Sequence, residues 1–169
     1  MQIRTGTRDD AEQIAALHAE SWRTAYAGMM PPSFLEGPLD EDRLAVWRGR
    51  LAQPQDGAGL FLAVDGETIE GFAYLAPAED GRILLENLHA RPGRTGSGIG
   101  GLLLRHSLAW AADEHPGRDV FLEVLRDNTR AIAFYERHGA RRTGEGVARF
   151  QQGFELHEFE YAWKAGATV

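Results

Sequence analysis

Residues 91–101 read Arg-Pro-Gly-Arg-Thr-Gly-Ser-Gly-Ile-Gly-Gly, and three leucines follow at 102–104. A glycine-rich turn that runs straight into an apolar helical stretch confines this part of the chain to a strand–turn–helix unit. Glycine reaches positive φ and lets a ligand come close to the backbone. The first N–H groups of a helix have no partner within it and point outward, where the helix dipole favours an anion. The segment predicts an anion site, suited to the diphosphate of a nucleotide-containing cofactor.

The rest of the chain supplies a sheet to carry this unit. Residues 3–5 read as a short edge strand. Thr7, followed by Arg-Asp-Asp, reads as a helix N-cap with acids in the first turn. Ile14, Leu17, Ser21, Trp22, Ala25 and Tyr26 then fall on one face at helical spacing. Gly28 stops that helix, and Pro31-Pro32 is expected to prevent its resumption. A second helix is predicted over 40–51, with Leu44, Trp47 and Leu51 inward. Strands follow at 60–64, 69–75 and 83–90, with Asp65-Gly66 as a hairpin turn. After the glycine loop come a helix over 98–114, a strand over 119–125, and a helix capped by Asn128 and ended by Gly139. Residues 140–151 and 154–163 complete an antiparallel pair. The order predicts an α/β (α+β) fold: a mixed, mostly antiparallel sheet of six or seven strands flanked by about four helices, as one domain over 1–169.

Composition narrows the chemistry. There is no cysteine, which excludes disulfides, thiolate metal sites and an acyl-cysteine intermediate. The six histidines are scattered, so no metal site is expected. A net charge of −7 argues against a nucleic-acid partner and mildly favours a cationic acceptor. No apolar run approaches a membrane span, and Arg4, Arg8, Asp9 and Asp10 do not suit a signal peptide, so a cytoplasmic location is the expectation.

Gly96, Gly98 and Gly101 also satisfy G-x-G-x-x-G, with Glu123 about 20 residues on, as in dinucleotide-binding folds. That fingerprint needs its first glycine directly after the strand, and here residues 91–95 intervene. A Walker loop fails because no Lys-Ser/Thr follows the glycines. Downstream, Asn128, Ala131, Phe134 and Tyr135 mark a helix that could present the Tyr135 hydroxyl at a cleft beside the loop, or bury it as core.

Together the two motifs resemble the GNAT superfamily of acetyl-CoA-dependent N-acetyltransferases. Pro92 and Thr95-Gly96-Ser97-Gly98-Ile99-Gly100 match its acetyl-CoA motif. Asn128, Ala131, Phe134, Tyr135 and Gly139 match its second motif. The segment from His18 to Pro32 is similar to a bacterial branch of the superfamily. Thr95 stands where the family usually has Arg or Gln, with Arg94 adjacent, and Ala140 replaces a Phe.

The resemblance implies acetyl transfer from acetyl-CoA to a primary amine of a small molecule or peptide. It implies that main-chain N–H groups of Thr95, Gly96, Ser97, Gly98, Ile99, Gly100 and Gly101 hold the diphosphate, aided by Arg94. The pantetheine arm would lie along Leu88, His89 and Ala90 like an added strand, with a main-chain N–H of that strand facing the thioester carbonyl. Asn128 would bond the arm, and Tyr135 would protonate the departing thiolate. A lysine-like amine has a pKa of about 10.4, so a base helps at pH 7. Glu86 is the candidate, with Glu123 and His89 behind it. Trp22 and Tyr26 are candidates for the acceptor pocket, with Trp47 expected in the core. The same motifs would also serve a catalytically silent acyl-CoA-binding module. The acceptor is open among polyamines, amine-bearing antibiotics, amino acids and protein N-termini, and a homodimer through sheet edges is open as well.

Overall fold

The computed structural model describes all 169 residues. Its strands are β1 (Gln2–Thr5), β2 (Gly59–Asp65), β3 (Thr68–Pro77), β4 (Ile83–Ala90), β5 (Val120–Leu125), β6 (Arg141–Arg149) and β7 (Glu155–Trp163). Its helices are α1 (Ala11–Ala25), α2 (Pro32–Leu35), α3 (Leu39–Ala52), α4 (Ile99–Glu114) and α5 (Thr129–Arg137). The seven strands form one sheet in the order β1-β2-β3-β4-β5-β7-β6. Only the β4–β5 pair is parallel, as expected for two strands joined by the α4 crossover. No helix is long and apolar enough to cross a membrane.

Alternation along the central strands sends side chains to two cores. Phe61, Ala63, Ala73, Leu75, Ile83 and Leu85 meet Ile99, Leu103, Leu104 and Leu108 of α4 on one face. Leu60, Leu62, Ile69, Phe72 and Tyr74 meet Ile14, Leu17 and Trp47 of α1 and α3 on the other. Gly71 brings α4 close to β3, because a Cβ there would lie 2.7 Å from Ile99 Cγ2 and 2.8 Å from the His89 carbonyl oxygen. A smaller aromatic cluster joins Met30, Leu35, Leu39 and Leu125 to Trp22, Tyr26, Phe34, Phe150 and Phe154.

One local reading needs correction. Pro31-Pro32 does not end helical structure: Pro32 opens the short helix α2, since its fixed φ suits a first helical position and its missing N–H would have no partner there. With α2 the chain has five helices, close to the expected number. Thr7 caps a helical segment with Asp9 and Asp10 in its first turn, as expected, and that segment is a 3-10 turn (Arg8–Asp10) leading into α1. Asp10 accepts two Arg4 guanidinium bonds at 2.6 and 2.9 Å, then the Thr7 N–H at 2.8 Å, and these hold its carboxyl down at about 2.

Candidate active site

The parallel pair β4–β5 is joined only at Ile83↔Val120 and Leu84↔Phe121. Beyond those residues the strands separate, so the β5-facing edge of β4 from Leu85 to Ala90 has no strand beside it, while its other edge stays paired to β3. Its unpaired main-chain groups are a template for an extended ligand. Leu88, His89 and Ala90 lie along that free edge, the segment expected from the family resemblance to border the arm.

A bulge sharpens the split. Tyr74 pairs with Asn87 and Leu75 with Leu85, which leaves Glu86 as the extra residue of β4. Leu85 lies in the α4-side core and Leu88 packs against it. Glu86 and Asn87 therefore both point to the α1–α3 face, where Arg50 of α3 reaches them at 2.5 and 3.3 Å. A bulge re-aims side chains and main-chain groups at such places.

At the end of β4 the glycine loop turns into α4. Gly93, Gly96 and Gly98 have φ of 82°, 89° and 87°, a region that glycine enters without strain. The first α4 bond runs from the Leu102 N–H to the Gly98 carbonyl. The N–H groups of Thr95, Gly96, Gly98, Ile99, Gly100 and Gly101 find no main-chain acceptor, and residues 93–98 are exposed. Ser97 differs from its expected role. Its N–H and its hydroxyl both bond the Arg94 carbonyl, so it shapes the turn rather than donating outward. Beneath the loop, buried Glu70 lies 3.6 Å from both Arg91 Nε and Arg94 Nε.

The second motif is carried by α5, whose Phe134 lies beside Gly100 at the start of α4. Asn128 Oδ1 accepts the Ala131 N–H at 3.2 Å and caps the helix, which leaves its amide NH₂ free to donate. Tyr135 is half-buried against Trp163, and its hydroxyl has no hydrogen-bond partner in the protein. Burial, then the nearby Tyr26 phenol, pushes its pKa up, so the phenol keeps its proton.

On the α1–α3 face, the Trp47 indole N–H donates to His18 Nδ1 at 3.0 Å, and both residues are fully buried. His89 Nδ1 shares a hydrogen with Ser21 Oγ at 2.9 Å. Burial, then the charge of Arg43, lowers His89 to about 4. That leaves His89 neutral but a weak base. Trp47 is core, as expected. Trp22 is half-buried, but the Arg43 guanidinium sits 4.6 Å from its ring centre, so one face is already taken by a cation of the protein. Tyr26 packs edge-on to Trp22 in the aromatic cluster.

Carboxylates lie on both sides of the split. Glu86 Oε1 is held by Arg50, and its Oε2 has no partner in the protein. Glu123 is exposed on β5 without an ion pair. Glu158 of β7 stands opposite Leu125, and burial, then the charge of Glu123, raises its carboxyl. Glu158, Arg50 and Asn87 were not singled out from sequence. Glu86-Asn87 did carry a signal, since two polar residues between Leu85 and Leu88 break strict alternation. Nothing in the sequence distinguished Glu158 from a solvated strand residue.

Residues 14–140 match the family model described as acetyltransferase (GNAT) family. A probable N-acetyltransferase of Mycobacterium tuberculosis is 28% identical over 143 residues, which is 81% of this chain and 78% of that protein. The streptothricin acetyltransferase of Streptomyces lavendulae is 36% identical over 94 residues, 54% of this chain and 49% of its own. The fold is similar to that of the PaiA N-acetyltransferase of Thermoplasma acidophilum, solved in complex with coenzyme A, at a TM-score of 0.76 and 22% identity over 96% of this chain and 98% of that one. It is also similar to YncA of Salmonella typhimurium, solved with acetyl-CoA, at a TM-score of 0.72 and 16% identity over 100% and 96% of the two chains. With the split strands, the glycine loop and the α5 motif in one place, the match over most of the chain is decisive: the protein belongs to the GNAT family of acetyltransferases.

Proposed function

We propose that this protein transfers acetyl from acetyl-CoA to a primary amine of a small molecule or peptide, without a covalent enzyme intermediate. The observation that carries the reading is the split between β4 and β5, with free N–H groups of the α4 loop at one end. Two relatives of the fold were solved with coenzyme A or acetyl-CoA, which supports the same donor here.

The residues fit the donor. The free N–H groups of Thr95, Gly96 and Gly98 to Gly101 suit a diphosphate, with Arg94 46% exposed beside them. The unpaired edge of β4 suits the amide groups of the pantetheine arm, and the Asn128 NH₂ can bond the same arm. Acetyl-CoA supplies the acetyl group as a thioester: a bond forms from the amine nitrogen to its carbonyl carbon, and the C–S bond breaks. A main-chain N–H at the β4 bulge stabilises the charge that develops on the carbonyl oxygen. Tyr135 gives its proton to the departing sulfur.

The ammonium form of the acceptor must lose a proton before attack. Glu86 Oε2 is the proposed recipient, directly or through water, with Oε1 fixed by Arg50. The raised carboxyl of Glu158 favours a second route, through Glu123 and Glu158 on the same face, because a carboxylate of higher pKa is the better base near neutrality. Tyr26, Trp22 and the aromatic cluster form the wall for the acceptor, and the negative charge of the chain favours an amine.

The test is thiol release from acetyl-CoA across a broad panel of amines. Amine-dependent release is expected. Tight acetyl-CoA binding with no release for any amine would favour the silent binding module, and stabilisation by NAD instead of coenzyme A would point to dinucleotide chemistry.

A further inference from the structure

We infer that Arg50 is a positioning residue for acyl transfer: its guanidinium pins both residues of the β4 bulge, and so fixes the main-chain N–H groups that face the thioester carbonyl. The inference rests on the function proposed above.

The bulge needs an external restraint. A regular strand is held at both edges, but β4 loses its β5 partner after Leu84, just before the bulge begins. Only β3 remains, and the register to β3 is interrupted at this point. An extra residue with one neighbouring strand has more than one way to sit.

Arg50 supplies that restraint from the opposite layer. Its Nη2 donates to Glu86 Oε1 at 2.5 Å, and its Nη1 donates to Asn87 Oδ1 at 3.3 Å. One planar group thus holds two consecutive side chains in a fixed relation, which a fork of donors achieves and a point charge does not.

The seat of Arg50 is itself rigid. Its guanidinium carbon lies 4.2 Å from the ring centre of Tyr74 and 4.9 Å from that of Trp47. Tyr74 is the β3 partner of Asn87, so the stack and the fork close on the same two strands. Trp47 is fully buried and bonded to His18. A role in attaching α3 to the sheet does not account for this aim, because Trp47 already anchors α3 in the core.

The test compares Arg50→Met, which keeps the apolar stem between the two rings, with Arg50→Lys, which keeps the charge and loses the fork. Steady-state thiol release and amide hydrogen exchange are measured on the full chain. Arg50→Met should lower kcat by roughly 10- to 100-fold. KM for acetyl-CoA should stay within about threefold, since the loop is untouched. Exchange should quicken at residues 85–88 while the other strands keep their protection, and Arg50→Lys should restore only part of the rate. Unchanged kcat in Arg50→Met, full recovery in Arg50→Lys, or loss of rate only with uniform loss of protection would overturn the inference. If the unmodified protein releases no thiol with any amine, the proposed function fails separately. Exchange at 85–88 then still decides the matter, and equal rates in Arg50→Met and the unmodified protein would end the role of Arg50.

Discussion

Trp47 donates its indole N–H to Nδ1 of His18 across 3.0 Å inside the core. Nδ1 is therefore the unprotonated nitrogen, and the neutral ring carries its hydrogen on Nε2. Burial, then the charges of His89, Arg43 and Arg50, push the pKa of His18 far down. His89, bonded to Ser21, is lowered to about 4. Both rings are neutral in the fold and take up a proton near pH 6.5 once unfolded.

The unfolded chain thus binds more protons over that interval, so stability falls as pH drops from about 6.5 toward about 4. For His89 alone the loss develops to about 3 kcal/mol by the lower limit. Melting temperature followed from pH 7 to pH 4 should decline steadily, and His89→Gln should decline less. A flat profile through this interval would show that neither imidazole is held neutral.

Gly98 has a φ of 87°, and a Cβ there would meet no protein atom within 4 Å. Gly98→Ala should therefore cost the fold only about 1–2 kcal/mol of left-handed strain. The new methyl group would stand where the diphosphate approaches the loop. KM for acetyl-CoA should rise at least about tenfold, worth roughly 1.4 kcal/mol of binding, while KM for the amine is little changed. Steady-state kinetics against each substrate checks this, and an unaltered acetyl-CoA KM would place the diphosphate elsewhere.

Tyr135 keeps its proton because burial and the adjacent Tyr26 phenol raise its pKa. As the proton source for sulfur, its loss in Tyr135→Phe should lower kcat by roughly 10²-fold, with little change in acetyl-CoA affinity. The ring packing against Trp163 survives in Phe, so melting temperature should hold. Equal turnover by Tyr135→Phe would remove the hydroxyl from the chemistry.

Glu86→Gln and Glu158→Gln separate the two routes for the amine proton. If Glu86 receives it, Glu86→Gln should lose rate mainly below the acceptor's pKa and recover toward high pH, where the amine is already neutral. Glu158→Gln should then follow the unmodified pH profile. The reverse pattern assigns the step to the Glu123–Glu158 side, and two unmodified profiles would leave deprotonation to water.

Much of this architecture is legible in the residues. The apolar runs of β2 and β3, the Asp65-Gly66 turn and the Gly96–Gly101 run each reflect local rules of strand composition and backbone freedom. The family resemblance follows from two motifs at a fixed separation, whereas the sheet order, with β7 between β5 and β6, is a tertiary feature. Other features are tertiary and escape such reading. Whether Trp22 is free to face a ligand depends on Arg43, which arrives from α3. The raised carboxyl of Glu158 depends on its burial in the sheet, then on Glu123 of the neighbouring strand. Ser97 resembles a phosphate-binding residue in the motif, yet its donors close the turn onto Arg94. Arg50 looks like one of several surface arginines of α3 until the β4 bulge is seen beneath it.

Titration of ¹⁵N-labelled protein with coenzyme A, read at the backbone amides, locates the donor on the chain. Saturable shifts should concentrate at Thr95, Gly96 and Gly98 to Gly101, with a second group along Leu88 to Ala90 on the free edge of β4. Saturable binding whose shifts avoid both segments, or no shifts at millimolar coenzyme A, would contradict that placement.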